Sequence, residues 1–191
     1  MTYNSEFHHR RSIRLKDYDY SKAGAYFVTV CVWNRGCLFG EIKDGDMFLN
    51  ELGDTVMKCW DSIPTHFPHV ETDEFIVMPN HAHGIIVLSG VGAQFIAPFR
   101  KTTTENQGVM NHAPTVGKIV RAFKARCTHM INNVRNTPGL PVWQRNYYEH
   151  VIRDEKELDA IREYIRFNPQ KWDEDEENLV ETGRDKSRPY T

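Results

Sequence analysis

The run FIVMPNHAHGIIVL, residues 75–88, constrains the fold more than any other stretch of the chain. It is broken once, at Pro79-Asn80, and reads as two strands joined by a tight turn. In the second strand His81, His83, Ile85 and Val87 share one face, and Ala82, Ile86 and Leu88 share the other. A strand apolar on both sides must be covered on both sides, so it belongs inside a sheet. The two imidazoles are then the anomaly. One buried histidine is ordinarily a hydrogen-bonded core residue. Two on one face each need a partner, and they repel if both are protonated. A shared divalent metal resolves both problems, although such spacing is common by chance and a metal needs further ligands.

The remaining elements follow from pattern. YFVTVCVW (26–33) is β-branched and aromatic, hence a strand. CLFGEIKDGDMFLN carries a hairpin turn at Asp44-Gly45. Asn50 can cap a helix running to about Phe67, with Leu52, Val56, Trp60 and Ile63 at helical spacing. Residues 89–114, rich in Gly, Thr, Asn and Pro, read as a long mobile loop. Residues 115–134 form an amphipathic helix whose buried stripe is Val116, Ile119, Val120, Phe123, Cys127, Met130, Ile131 and Val134, with Lys118 and Arg121 opposite. Residues 142–152 read as a strand. A last helix opens at Asp154, with Glu157 three residues on, and ends at Pro169. The order β, α, β, β, α, β, α implies an α+β fold, a ferredoxin-like sandwich with an antiparallel sheet and helices mainly on one face. Residues 1–172 form one domain, and 173–191 an acidic, weakly ordered tail.

Net charge is −2, which alone argues against a nucleic-acid partner. The distribution argues the other way. No Asp or Glu occurs from Asn106 to Tyr148, where Lys118, Arg121, Lys124, Arg126, Arg135 and Arg145 all fall. Arg10, Arg11, Arg14 and Lys16 add to the positive charge, and the acids gather in DEDEE at 173–177. Such segregation suits a surface that meets phosphates; a solvated basic helix is the plain alternative. No apolar run reaches membrane-spanning length, and the polar start is no signal peptide. Cys31, Cys37, Cys59 and Cys127 show no metal-binding spacing and read as reduced thiols of a cytoplasmic protein.

In the last helix EYIRFNP sets Tyr164 and Asn168 at i and i+4, beside the stripe of Leu158, Ile161 and Ile165. Taken alone, these are a rim tyrosine and a helix-end asparagine. Together with MPNHAHGIIVL, some eighty residues upstream, YIRFNP resembles the HUH single-tyrosine transposases, and more closely the REP-associated tyrosine transposases. RRSIRLKDYDYSKAGAYFVTVCVWNR, VGKIVRAFKARCTHMIN and VWQRNYYEHVIRDEKEL fit the same pattern in the same order. The resemblance spans residue 10 to about 172 and is weakest in the long loop and the tail.

The resemblance implies that His81 and His83 bind a metal, that Asn168 adds its amide oxygen where relatives often carry Gln, and that Tyr164 is the nucleophile. Two imidazoles and an amide oxygen leave positions open on a hard ion, Mg²⁺ or Mn²⁺. Attack by Tyr164 on phosphorus would leave a 5′-phosphotyrosine and a free 3′-OH, storing the phosphodiester energy for strand transfer. An unperturbed phenol titrates near about pH 10, so its oxygen needs activation. Tyr147 and Tyr148 compete for the role, but on a strand they point to opposite faces and read as a stacking or packing pair. The implied substrate is single-stranded DNA with short palindromic hairpins, such as REP elements. It would be held by Arg10, Arg11, Arg14, Lys118, Arg121, Lys124 and Arg145, with Tyr18, Tyr20 and Trp143 as weaker stacking candidates. The implied state is a monomer, with a dimer as alternative. Two other readings stay open: a hairpin-binding protein without turnover, and a phosphoesterase using water.

Overall fold

The computed structural model describes residues 23–89, 115–175 and 177–178. In chain order the elements are β1 (Gly24–Cys31), the hairpin strands β2 (Gly40–Lys43) and β3 (Asp46–Leu49), α1 (Glu51–Asp61), a single turn α2 (Ile63–His66), β4 (Val70–Val77), β5 (His81–Leu88), α3 (Val116–Arg135), β6 (Tyr148–Ile152) and α4 (Glu155–Phe167). A 3₁₀ turn, Pro169–Glu174, follows α4. The main sheet has the order β4-β5-β1-β6, every neighbouring pair antiparallel. With the β2–β3 hairpin set aside, this is the ferredoxin-like arrangement.

Alternation along β1 assigns the two layers. Tyr26, Val28 and Val30, with Ala82, Ile86 and Leu88 of β5, pack against α1 and α3 in the larger core. Ala25 and Phe27, with Ile85 and Ile152, pack against Leu158 and Ile165 of α4. Helices therefore lie mainly on one face, and α4 covers the other. β5 is buried on both sides, which is why both of its faces are apolar. The hairpin turns through Asp44 (φ 52°) and Gly45 (φ 82°), the left-handed pair that a two-residue turn demands. Asn50 Oδ1 accepts the N–H groups of Leu52 (2.9 Å) and Gly53 (3.1 Å), capping α1.

Three elements differ from the pattern-based expectation. The helix from Asn50 breaks at Ser62, because Pro64 has no N–H for the carbonyl of Trp60; the Ser62 N–H turns to Lys58 O and Trp60 O, and its hydroxyl donates to Cys59 O (2.8 Å). The strand expected over 142–152 begins only at Tyr148, and Trp143 makes a single bridge to Val32. Lys124 is the reason. Its ammonium donates to the carbonyls of Gln144 (2.6 Å), Arg145 (3.3 Å) and Asn146 (3.2 Å). Three successive carbonyls turned to one cation cannot alternate as a ladder requires. Burial draws this ammonium's pKa down to about 8. Lastly, Val134 is exposed, so the buried stripe of α3 ends at Ile131.

Gly84 shows how tightly the larger core is closed. Trp60 of α1 lies flat on Phe75, ring centroids 4.2 Å apart. A Cβ at 84 would meet Trp60 Cζ2 at 2.5 Å and Phe75 Cδ2 at 2.7 Å. Gly84→Ala is expected to destabilise the fold by about 1–3 kcal/mol through overpacking. The check is the urea midpoint, and an unchanged midpoint would show that the ring pair yields freely.

Candidate metal and nucleic-acid site

His81 and His83 are buried on the α4 side of β5. Asn80 orients the first ring. Its Nδ2 donates to the carbonyls of Arg35 (3.2 Å) and Glu177 (2.7 Å), which leaves Oδ1 to accept from His81 Nδ1 at 2.8 Å. His81 thus carries its proton on Nδ1 and keeps the Nε2 lone pair free. That lone pair faces His83 Nε2, 2.9 Å away. His83 Nδ1 meets Thr29 Oγ1 at 2.8 Å, where a hydroxyl can donate or accept. His83 can therefore hold its proton on Nε2, given to His81, or on Nδ1, given to Thr29. In the second tautomer both Nε2 lone pairs converge. Burial, with Arg35 adding to it, lowers the His81 pKa to about 4 against the pull of Asp175. Burial and the neighbouring His81 lower His83 well below the ordinary imidazole range. Neutral rings are the form that coordinates metals.

A third donor lies close. Asp175 Oδ2 is 3.9 Å from His81 Nε2, and the ligand atoms of His81, His83 and Asp175 lie within 4.8 Å of one another. Asp175 is steadied by the Glu177 N–H, which donates to Oδ1 (2.7 Å), while Glu177 pairs with Arg35 (3.2 Å). Asn168, at the C-cap of α4, is 2% exposed, and its Oδ1 has no hydrogen-bond partner among the described residues. A buried amide oxygen without a donor is costly, and a cation would satisfy it. The donor set of two imidazole nitrogens and the Asp175 carboxylate fits a divalent ion.

Helix α4 is tied down at several points. Asp154 Oδ1 caps it, accepting from the Glu157 N–H (2.8 Å), and Glu157 reaches His150 of β6 (2.7 Å). A bulge in β4 between Thr72 and Phe75 carries Asp73 and Glu74, and both acids pair with the helix. Arg162 grips Asp73 through Nε (3.1 Å) and Nη2 (2.5 Å), and Arg166 pairs with Glu74. Burial alone would raise the Asp73 carboxyl, but the Arg162 hydrogen bonds and the Glu74 N–H hold it below its usual range. These ties set Tyr164 over β5. Its hydroxyl is 3.4 Å from His83 Nε2, and its ring stands edge-on to His83 (5.2 Å) and Phe27 (5.9 Å). At 43% exposure the phenol stays open to solvent.

The basic residues gather elsewhere. Arg121, Lys124 and Arg145 line a groove of about 1100 Å³ between α3 and residues 138–147, on the α3 side of the sheet, opposite the face that carries the histidines. Lys118 is exposed on α3 outside that lining, and Trp143 is buried against Phe39 and Phe123. Arg10, Arg11, Arg14, Tyr18 and Tyr20 lie outside the described residues, as do 90–114 and 179–191. The acidic stretch begins within the 3₁₀ turn, and Glu177 and Asn178 are buried.

Sequence reasoning missed Asn80, Thr29 and Asp175. Asn80 adjoins the histidines and could have been noticed. Thr29 reaches His83 only through strand register, and Asp175 is one acid in a run of them.

No family model matches the chain. A Haemophilus influenzae protein of unassigned function is 48% identical over 177 residues, covering 91% of this chain and 96% of its own length. A second protein of that organism, provisionally named as a REP-associated tyrosine transposase, is 24% identical over 153 residues, covering 80% of this chain and 74% of its own. Among solved structures, a REP-associated tyrosine transposase bound to a REP hairpin superposes with a TM-score of 0.54 at 21% identity, covering 83% of this chain and 73% of that one. The chain thus belongs with the 48% identical Haemophilus protein, and it is similar to the REP-associated tyrosine transposases in sequence at 24% identity and in fold.

Proposed function

We propose that the chain is a metal-dependent single-stranded DNA endonuclease and strand transferase, acting on hairpin-containing DNA such as REP elements through a 5′-phosphotyrosine on Tyr164. One observation carries this reading: the Tyr164 hydroxyl lies 3.4 Å from His83 Nε2, whose partner at 2.9 Å is His81 Nε2. A phenol from α4 and two imidazole nitrogens from β5 meet in one place.

His81 and His83 would hold Mg²⁺ or Mn²⁺, with Asn168 and Asp175 as the oxygen donors within the same chain. The bound ion would supply positive charge to the scissile phosphate as negative charge builds on it. Tyr164 forms the new O–P bond as the bond from phosphorus to the 3′-oxygen breaks. The phenol loses a proton and the departing 3′-oxygen gains one, so the step is balanced. Arg121 and Arg145 hold phosphates without reading sequence. Lys124 acts at one remove, shaping the segment that carries Arg145. Because the three central groups come from one chain, action as a monomer suffices. The four free cysteines suit a cytoplasmic site of action, on the nucleoid.

The experiment is a denaturing gel of end-labelled hairpin DNA incubated with the protein and Mg²⁺ or Mn²⁺. A slow-migrating protein–DNA species is expected. Cleavage without it would favour a phosphoesterase using water, and retention without cleavage a passive hairpin binder.

The Thr29 hydroxyl gives a subtler test of the metal centre. It can serve His83 Nδ1 in either tautomer, whereas valine of the same shape cannot. Thr29→Val is expected to weaken Mn²⁺ binding by about tenfold to a hundredfold, the usual cost of losing a ligand's supporting partner. Titration calorimetry reads it, with the thermal midpoint as control. Undiminished affinity would show that His83 needs no such support.

A further inference from the structure

We propose that Tyr148 is the residue on which a base beside the scissile phosphate stacks. The proposal rests on the reading of the site as a single-stranded DNA nuclease and extends it to how the strand is led in.

Register places the side chain. Thr29 of β1 pairs with Tyr148, and Phe27 pairs with His150. Phe27 and Thr29 are the β1 residues that face the histidines, so Tyr148 shares their side of the sheet. The ring contact agrees: Tyr148 stands edge-on to Phe27, centroids 6.2 Å apart at 68°. Phe27 in turn stacks on His83 (5.4 Å, 24°) and meets Tyr164 edge-on (5.9 Å). Both tyrosines therefore lean on one buried ring, with the imidazoles beside it.

What surrounds them differs. Tyr147 lines the basic groove on the α3 side, its hydroxyl donating to Glu149 (2.6 Å). Tyr148 is 47% exposed at the start of an edge strand. A lone exposed aromatic is ordinary; this one is singled out by its place. It follows directly on Arg145, Asn146 and Tyr147, all lining the groove. A single strand with its phosphates against Arg121 and Arg145 would round the β6 edge here. Its next base would meet the open face of Tyr148 as the following phosphate reached Tyr164. Every base has a π-face, so such a platform guides a strand without reading sequence.

The test uses hairpin DNA with 2-aminopurine substituted in turn at each unpaired position, bound to Tyr164→Phe protein so that nothing is cleaved. Quenching is expected at one position next to the cleavage site. Tyr148→Leu, which keeps an apolar contact with Phe27, should abolish that quenching and weaken binding by about tenfold to a hundredfold. Tyr148→Phe and Tyr148→Trp should preserve both. In the cleaving enzyme Tyr148→Leu should raise KM with little change in kcat. Quenching and KM unaltered by leucine would overturn the proposal, as would phenylalanine failing as badly as leucine, which would assign the role to the hydroxyl. The readout by quenching does not depend on cleavage. Tyr148-dependent quenching with no adduct in the parent protein would leave the platform standing and sink the nuclease reading, and adduct formation without it would do the reverse.

Discussion

Tyr164→Phe is expected to abolish the covalent protein–DNA species while leaving hairpin binding within about twofold of the parent. Phenylalanine keeps the edge contacts with His83 and Phe27 and loses only the oxygen that would bond phosphorus. The residue is 43% exposed, and His83 Nε2, which the hydroxyl faces at 3.4 Å, keeps its neighbour His81 Nε2 at 2.9 Å. Losing a nucleophile removes a bond-forming step and not merely a contact, and a fall on the order of a thousandfold or more follows. The comparison with Tyr147→Phe and Tyr148→Phe gives the result its meaning. Tyr147 holds Glu149 on the groove side, and Tyr148 touches Phe27 with its ring. Both variants should still form the adduct.

Loss of the proposed metal centre should be nearly as severe. His81→Ala and His83→Ala each remove one of the two converging nitrogens. Either change is expected to weaken Mn²⁺ binding by at least about a hundredfold, beyond the usual cost of a supporting residue, and to suppress cleavage accordingly. Chelation with EDTA should reproduce the loss in the parent protein. Asn168→Ala and Asp175→Ala should have smaller effects of the same kind, since each would remove one of the proposed oxygen donors and leave the imidazoles. His81→Ala also strands Asn80 Oδ1, at about 1–3 kcal/mol, so hairpin affinity must be measured alongside. Affinity should hold. An equal loss of DNA binding and metal binding would show that these side chains support the fold and not an ion.

Much of this architecture was legible because it is local. The Asp44-Gly45 turn, the Asn50 and Asp154 caps, and the apolar pattern on both faces of β5 lie within a few residues of sequence. What could not be read depends on distant partners. Nothing between 142 and 147 announces that Lys124 will gather three carbonyls and stop a strand from forming. The pairing of Tyr164 with His83 needs both the strand order and the seating of α4 by Arg162 and Asp73. Residue pattern alone left that tyrosine at the rim, and only the family resemblance singled it out. Asp175 was hidden for another reason: within a charge run, no residue stands out until the chain folds back on His81.

The site's chemistry comes down to which side chain carries the DNA, and digestion of the trapped adduct with trypsin decides it. Cleavage after Arg162 and Arg166 isolates Tyr164 in the peptide 163–166, whereas Tyr147 and Tyr148 travel together in 146–153. Mass spectrometry is expected to find the nucleotide mass on 163–166. Finding it on 146–153, or finding cleaved DNA with a free 5′-phosphate and no modified peptide, would contradict the assignment of Tyr164 as the nucleophile.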